Sequence, residues 1–342
     1  MMLIIVILIS TIPLTTKAKQ PVPNTNMFVL SNEGLPFIQD KPLHNGTVLQ
    51  SFAFDDENKH IYVVQLMAGG QQLPDENEPV SGAIRAKNGD VTLTKLDQEG
   101  NKLGHMYLKG FGHGVQIGVE VENGVTYLWT ETDAVTEGND GWGTQIARFP
   151  FENGTIRTPD SPVLEKHKLI EGADRTTVNI DKTHGLLTMR YRLDGSFRYG
   201  VFDLEQVKKG NYHPIADVPQ PPVGTFQGFA SYGTYLYLLE GNAYGVNGSV
   251  APYGNTYVTA VDLNSGKAVA RQLISAGNAM TFREPEGMAI RIPDPKQPHK
   301  AQLHIGFASN AAPNRLANIY YFDQLMPINS NHHRCSLLKE NH

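Results

Sequence analysis

A degenerate opening recurs five times along this chain, and no other feature constrains its fold as much. Gln50-Ser-Phe-Ala-Phe-Asp leads through a turn into Ile61-Tyr-Val-Val, and Gln227-Gly-Phe-Ala-Ser-Tyr leads through Gly233 into Leu236-Tyr-Leu-Leu. Gln116-Ile-Gly-Val-Glu-Val, Thr176-Thr-Val-Asn-Ile-Asp and Glu286-Gly-Met-Ala-Ile begin comparable units. In each, a polar residue precedes a strand, a turn and a second strand, with the alternating or β-branched composition that suits a pleated surface. A third strand then runs into a turn, as in Thr92-Lys-Leu-Asp-Gln-Glu-Gly and Ala260-Val-Asp-Leu-Asn-Ser-Gly. The openings lie about sixty residues apart, a plausible blade length for a repeat that cannot bury its faces alone. They predict an all-β chain, a single β-propeller of about five four-stranded blades around a central channel, because radial repetition leaves only short edges. A two-sheet sandwich would offer similar strands but no reason for five similar openings. Helix content is expected near zero, with at most a short turn over 207–210.

Both ends of the chain read differently from this repeat. Leu3 to Leu14 (LIIVILISTIPL) is apolar but short for a bilayer span, and Thr16 and Ala18 suit a cleavage site. This predicts a signal peptide over 1–18 and a secreted, extracellular protein with no membrane association after its removal. No Lys or Arg precedes the apolar core, so an uncleaved anchor is the alternative. The propeller is expected over 27–325, with Met27 to Leu30 adding a strand that latches the last blade, and 327–342 as a disordered tail. The one cysteine, Cys335, lies in that tail, so the fold must hold without an internal disulfide. A formal net charge of −5 gives no basic footprint for nucleic acid.

Innermost strands of a propeller line its channel, so Gln50, Gln116, Thr176, Gln227 and Glu286 are expected as a polar ring near one mouth. Such a ring could hold a ligand's hydroxyls, or tie channel waters to backbone. Gly110-Phe-Gly-His-Gly-Val-Gln-Ile-Gly places His113 among four glycines. His113 could be a general base, a ligand contact or a strut between blades, and the glycines could admit a ligand or tight packing. No acid is visible in sequence to orient its imidazole. Sugar rings stack on aromatic faces, which makes Trp129, Trp142, Tyr191, Tyr244 and Tyr253 candidates; Trp142 and Tyr244 lie in polar, glycine-rich loops. Arg190 and Arg192 could clamp an anion bidentately. Glu131, Asp133, Glu137 and Asp140 raise the question of calcium but lack the spacing of a known loop. No other metal and no cofactor is expected.

Gly112-His-Gly-Val-Gln-Ile-Gly-Val-Glu, Tyr127-Leu-Trp-Thr-Glu131 and Glu284-Pro-Glu-Gly-Met-Ala resemble one propeller family. It contains the teichoic acid biosynthesis protein C sequences and the propeller platform of staphylococcal phage receptor-binding proteins. The resemblance covers Met27 to Asp323 and implies five blades and a link to wall teichoic acid; it carries over no catalytic residue. The chain is expected to depart from the phage members in carrying a signal peptide and no stem or trimerising segment.

Two functions of different class follow as expectations. The first is a carbohydrate-binding propeller for an extracellular or cell-wall glycopolymer, teichoic-acid-like or an anionic polysaccharide, held through Trp142, Tyr244, Arg190 and Arg192. The second is a polysaccharide lyase acting on a uronate-containing glycan, in which His113, Tyr191 and Arg190 would serve as base, acid and carboxylate-neutralising cation. Fold alone does not choose between them.

Overall fold

The computed structural model describes residues 21–30 and 33–326. The expected signal peptide and tail lie outside the described residues. Five antiparallel sheets follow one another along the chain. The first contains Leu49–Asp55, His60–Leu66, Val91–Leu96 and Lys102–Leu108, and the second Gly118–Glu122, Val125–Thr132, Gln145–Pro150 and Glu165–His167. The third contains Asp174–Asp181, Leu186–Leu193, Ser196–Asp203 and Ala216–Pro219, and the fourth Phe226–Tyr232, Tyr235–Glu240, Tyr257–Asp262 and Lys267–Leu273. Glu284–Arg291, Gln302–Ser309 and Leu316–Phe322 make three strands of the fifth. Each repeat opening lies at the second or third residue of an innermost strand or, for Gln116, two residues before one, and the five-bladed propeller is the observed fold. Ile156–Arg157, from the second blade's long loop, pairs in parallel with the outermost strand of the first.

The ring closes through a different segment from the one expected. Leu35–Pro42 pairs antiparallel with Leu316–Phe322 as the outermost strand of the fifth blade. Met27 to Leu30 contributes only an isolated bridge, Phe28 to Leu325, with Phe28 buried in the core of the last two blades. Leu35–Pro42 escapes a sequence reading because an outermost strand needs little burial: of its eight residues only Ile38 is buried. Its prolines fit an edge position, where a missing N–H costs no ladder bond.

Helix content is low but not absent. Gly82–Asn88 sits in the excursion between the second and third strands of the first blade, capped by Ser81 and ended by Gly89 at φ +73°. Leu204–Lys208 starts where Asp203 accepts a bond from the Gln206 amide, and it buries Leu204 and Val207. Both are under two turns long, too short to show a helical period.

The hydrophobic core lies between neighbouring sheets; for instance Tyr62, Met106 and Phe149 join the first two blades, and Val178, Met189 and Phe202 belong to the seam of the next pair. At the axis the innermost strands approach backbone to backbone. A Cβ on Gly228 would lie 2.8 Å from the Gly287 Cα, and one on Gly287 would lie 2.6 Å from the Ser51 Cα. Strands that converge this way are not in a common ladder, so their polar backbone groups need other partners. Gln116 supplies them: its Nε2 donates to the Met288 carbonyl at 2.8 Å, and its Oε1 accepts from the Phe229 amide at 3.3 Å. Asn179 likewise accepts from the Ser231 amide at 3.0 Å, and the Ser51 hydroxyl donates to the Gly114 carbonyl at 2.6 Å.

Replacing Gln116 with Ala leaves one amide and one carbonyl unpaired in the axis, and is expected to cost ~1–3 kcal/mol of stability. Gln50→Ala removes a single contact of 3.5 Å and should cost clearly less. Denaturant unfolding of both variants checks the ordering, and equal losses would refute the role given to Gln116.

Candidate functional site

Antiparallel order brings the start of each innermost strand level with the end of the second strand and the start of the third. In the fourth blade Phe226 pairs with Glu240, Glu240 with Tyr257 and Tyr257 with Leu273. In the third, Asp174 pairs with Arg192 and Arg192 with Phe197. The repeat openings, His113, Trp142, Arg190, Arg192 and Tyr244 therefore share one face. The long connections 67–90, 133–144 and 241–256 emerge there, whereas short turns at 56–59, 123–124, 182–185 and 233–234 close the opposite edge in four blades.

On that face the excursion after the second blade's second strand folds into a small hairpin, Val135–Glu137 with Asp140–Trp142. The Trp142 ring stacks on His113, with centroids 4.7 Å apart and planes 12° from parallel. The Arg175 guanidinium lies 3.9 Å from the same ring. Arg175 adopts φ +53° inside a bulge of the third blade's innermost strand, which turns its side chain toward this loop. Trp142 is thus half-buried among protein groups and does not present a bare stacking platform. The His113 Nδ1 lies 3.5 Å from Asp140, an acid considered in sequence for calcium and not as its neighbour, without forming a hydrogen bond. Burial lowers the pKa of His113, which favours the neutral imidazole.

Behind this layer Glu131 explains the glycine-rich segment. Its Oε1 accepts the amides of His113 at 3.0 Å and Gly114 at 2.7 Å, and its Oε2 accepts Gly143 at 2.7 Å. A Cβ on Gly112 would fall 2.1 Å from the Glu131 Cδ, and one on Gly143 would fall 2.5 Å from the Glu131 Cβ. The glycines at 112 and 143 therefore make room for a buried carboxyl, not for a ligand. Burial pushes this carboxyl up to about 7, outweighing the three amide donors.

The expected arginine clamp divides. Arg192 is committed to acids: its Nε donates to Asp174 at 2.8 Å and its Nη1 to Glu137 at 3.0 Å, with a further Nη2 bond to Glu137. These carboxylates raise its pKa and occupy its fork, so Arg192 cannot also grip an anion. Arg190 has no ion pair among the described residues. It is 5% exposed, its Nε donates to Gln220 Oε1 at 2.8 Å, and its guanidinium lies 3.7 Å from the Phe197 ring centroid and 3.9 Å from that of Phe226.

Other sequence candidates fall elsewhere. The polar ring does not converge: Gln116 braces the axis, Thr176 donates to the Gln145 carbonyl at 3.0 Å, and Gln227 donates to the Gly241 carbonyl at 3.0 Å. Gln50 is buried with only its 3.5 Å contact. Glu286 is buried without a hydrogen bond among the described residues, and burial with nearby Glu284 raises its pKa well above the usual value. Tyr191 alternates to the other side of the strand from Arg190; its hydroxyl reaches Asp217 on the outermost strand at 3.1 Å, away from His113. The proposed base, acid and cation of a lyase are not brought together. Trp129 is core, with its Nε1 donating to Glu120 at 3.1 Å. The Tyr244 hydroxyl is taken up by the carbonyls of Pro252 at 2.9 Å and Asn278 at 3.0 Å, whereas Tyr253 is exposed. The four acids considered for calcium serve four purposes: Glu131 takes backbone amides, Asp133 pairs Lys166, Glu137 pairs arginines and Asp140 faces His113.

A cleft that the sequence reading missed opens on the same face of the fourth blade. It encloses about 250 Å³ and is lined by Thr225, Glu240, Asn242, Asn247, Asn255, Tyr257 and Arg271, with Gly224 and Gly241. Its polar groups are held by one another: Asn242 Nδ2 donates to the Thr225 hydroxyl at 2.9 Å, and Asn255 Nδ2 donates to the Asn247 carbonyl at 3.2 Å. The Arg271 Nε donates to Glu240 at 2.7 Å, while its guanidinium covers the Tyr257 ring at 3.5 Å. Asn242, Asn247 and Asn255, spread through the loop after Gly241, were the available signal.

The family model described as phage 5-bladed beta propeller receptor binding platform domain matches residues 48–321. The chain is 27% identical over 287 residues to major teichoic acid biosynthesis protein C of Bacillus subtilis (strain 168), covering 81% of this chain and 59% of that protein. The tail fiber of Staphylococcus aureus phage P68 superposes with a TM-score of 0.65 at 20% identity, covering 86% of this chain and 53% of the fiber. The chain thus spans little more than half the length of either, and the fiber's likeness is one of fold.

Glu131 links this face to pH. Its folded-state value of about 7 lies above the ordinary 4.5, so the protonated form favours the fold. That contribution is full below the ordinary value and is lost as pH rises through the folded one. The parent chain should therefore lose melting temperature relative to Glu131→Gln between about pH 5 and about pH 8. Melts across that range check it, and a pH-independent difference would show that Glu131 does not titrate there.

Proposed function

The chain belongs to the phage five-bladed β-propeller receptor-binding platform family, and from that membership we propose that it recognises a cell-surface glycopolymer through its loop-bearing face. The observation that carries this reading is the fourth-blade cleft. Amide, hydroxyl and guanidinium groups that fix one another in place suit the reading of hydroxyl groups, because little ordering remains to be done on binding. Neighbouring Tyr257, already covered by Arg271, adds an apolar wall. The Bacillus subtilis relative, named for teichoic acid biosynthesis, points to a wall polymer as the ligand class. Such a polymer is met outside the cell, which agrees with the expected export; among the described residues no helix is long and apolar enough to cross a membrane.

The test is direct binding of the full chain to purified polyol-phosphate wall polymers, with a uronate polysaccharide alongside and absorbance monitored for a new C=C bond. Binding without absorbance change is expected. Asn247→Ala and Asn255→Ala should each weaken it by ~0.5–1.5 kcal/mol, the range of a single hydrogen bond, with melting temperature as the control for folding. Failure of the parent chain to bind any polymer in the panel would defeat the reading, and a rise in absorbance would replace it with the lyase.

A further inference from the structure

We propose that His44 and His105 form an acid-sensitive latch on the closure of the ring: as pH falls, protonation of the stacked pair frees the connection that leads from the closing strand into the first blade. The device belongs to the scaffold and does not depend on which ligand the loop-bearing face takes.

The closing strand, Leu35–Pro42, hands the chain to the first blade's innermost strand, Leu49–Asp55, through residues 43–48. Side chains of the first blade clip this connection down. The His44 amide donates to the Thr94 hydroxyl at 3.2 Å, and the Asn45 amide donates to Gln65 Oε1 at 3.2 Å. Gln65 Nε2 donates back to the carbonyls of Asn45 at 2.8 Å and Thr47 at 2.7 Å. None of these groups titrates. The His44 ring does, and it stacks on His105 of the first blade's fourth strand, Lys102–Leu108, with centroids 3.6 Å apart and planes 11° from parallel.

Two neutral imidazoles stack at that distance, whereas two imidazoliums repel. The charges that act on the pair are the rings themselves and Lys102, all cationic when protonated, and neither ring is ion-paired among the described residues. Asn153 accepts the His105 amide at 2.9 Å, but the acid beside it, Glu152, pairs with Arg157. On the closing strand, Lys41 lies against Gly100 and brings no negative charge. Protonation also strands a donor. The His44 Nε2 lies 2.8 Å from the Tyr107 hydroxyl, and its Nδ1 is buried without a partner. With Nε2–H donating to Tyr107, Nδ1 is an unpaired acceptor; a proton there makes it an unpaired charged donor, which costs more. Burial and the cationic His105 and Lys102 accordingly lower His44 from 6.5 to about 4, and burial with Lys102 lowers His105. A folded-state value below the unfolded one gives stabilisation that is present above about pH 6.5 and is lost as pH falls toward about 4. Both rings are half-buried, so solvent reaches the stack while the blade is folded.

The test is amide exchange of the full chain followed by mass spectrometry, with intrinsic rates corrected. Between about pH 7 and about pH 5, peptides spanning 35–48 should lose ~tenfold or more of their protection, as the His44 shift requires. Peptides over Leu186–Leu193 in the third blade should keep theirs. His105→Phe keeps a ring against His44 and removes the second charge, so it should reduce the loss. His44→Phe combined with His105→Phe should abolish it. Imidazole proton resonances of the parent chain give a readout independent of the double variant: both rings should titrate below 6.5, and His44 should move upward in His105→Phe. Equal acid response in the parent chain and the double variant, either ring titrating at or above its ordinary value, or loss of protection spread evenly over all five blades overturns the proposal.

Discussion

Closure of the ring rests on the pairing of Leu35–Pro42 with Leu316–Phe322, which joins an early segment of the chain to the end of its last repeat. That early segment supplies the outermost strand of the fifth blade, which then has four strands like the three sheets before it. Once closed, the five innermost strands are pressed together at the axis. The close approaches at Gly228 and Gly287 and the bracing bonds of Gln116, Asn179 and Ser51 answer that crowding. The polar residues that open the repeats follow the same constraint: they serve backbones that meet without sharing a ladder.

The asymmetry of the two faces follows from connection lengths. Blades joined by tight turns on one side must carry their variable loops on the other, and a rigid scaffold bearing loops is where recognition is commonly built. On this face the chain makes two kinds of surface. Around Trp142, His113 and Arg175 cover the ring and Glu137 pairs with Arg175 and Arg192, with Glu131 anchored beneath in backbone amides; this is a braced loop. Around the fourth-blade cleft, polar side chains hold one another in place along an open lining. Arg192 and Arg190 likewise differ in whether acids stand within reach, which neighbouring strands and not neighbouring residues decide.

Residue type alone was a poor guide to role for the same reason. Arg190 and Arg192 are two positions apart and read alike in sequence, but only Arg192 faces Asp174 and Glu137. Tyr191, between them, points into the opposite side of the sheet. The glycines beside His113 suggested a ligand's approach, and their purpose became legible only when Glu131, contributed by a strand further along the chain, filled the space above them.

Strand content, blade number and the position of every innermost strand were determined by the sequence itself, because a repeat's alternation and turn residues act locally and recur. The family resemblance was legible for the same reason, through short motifs on those strands. The latching strand was not, since Leu35–Pro42 buries almost nothing and so carries no periodic mark. Nor was the division between braced loop and open site. Burial, ion pairing and the filling of space depend on which side chains the closed ring brings to one seam, and those partners lie tens to hundreds of residues apart in the chain. Only the tertiary structure assigns them.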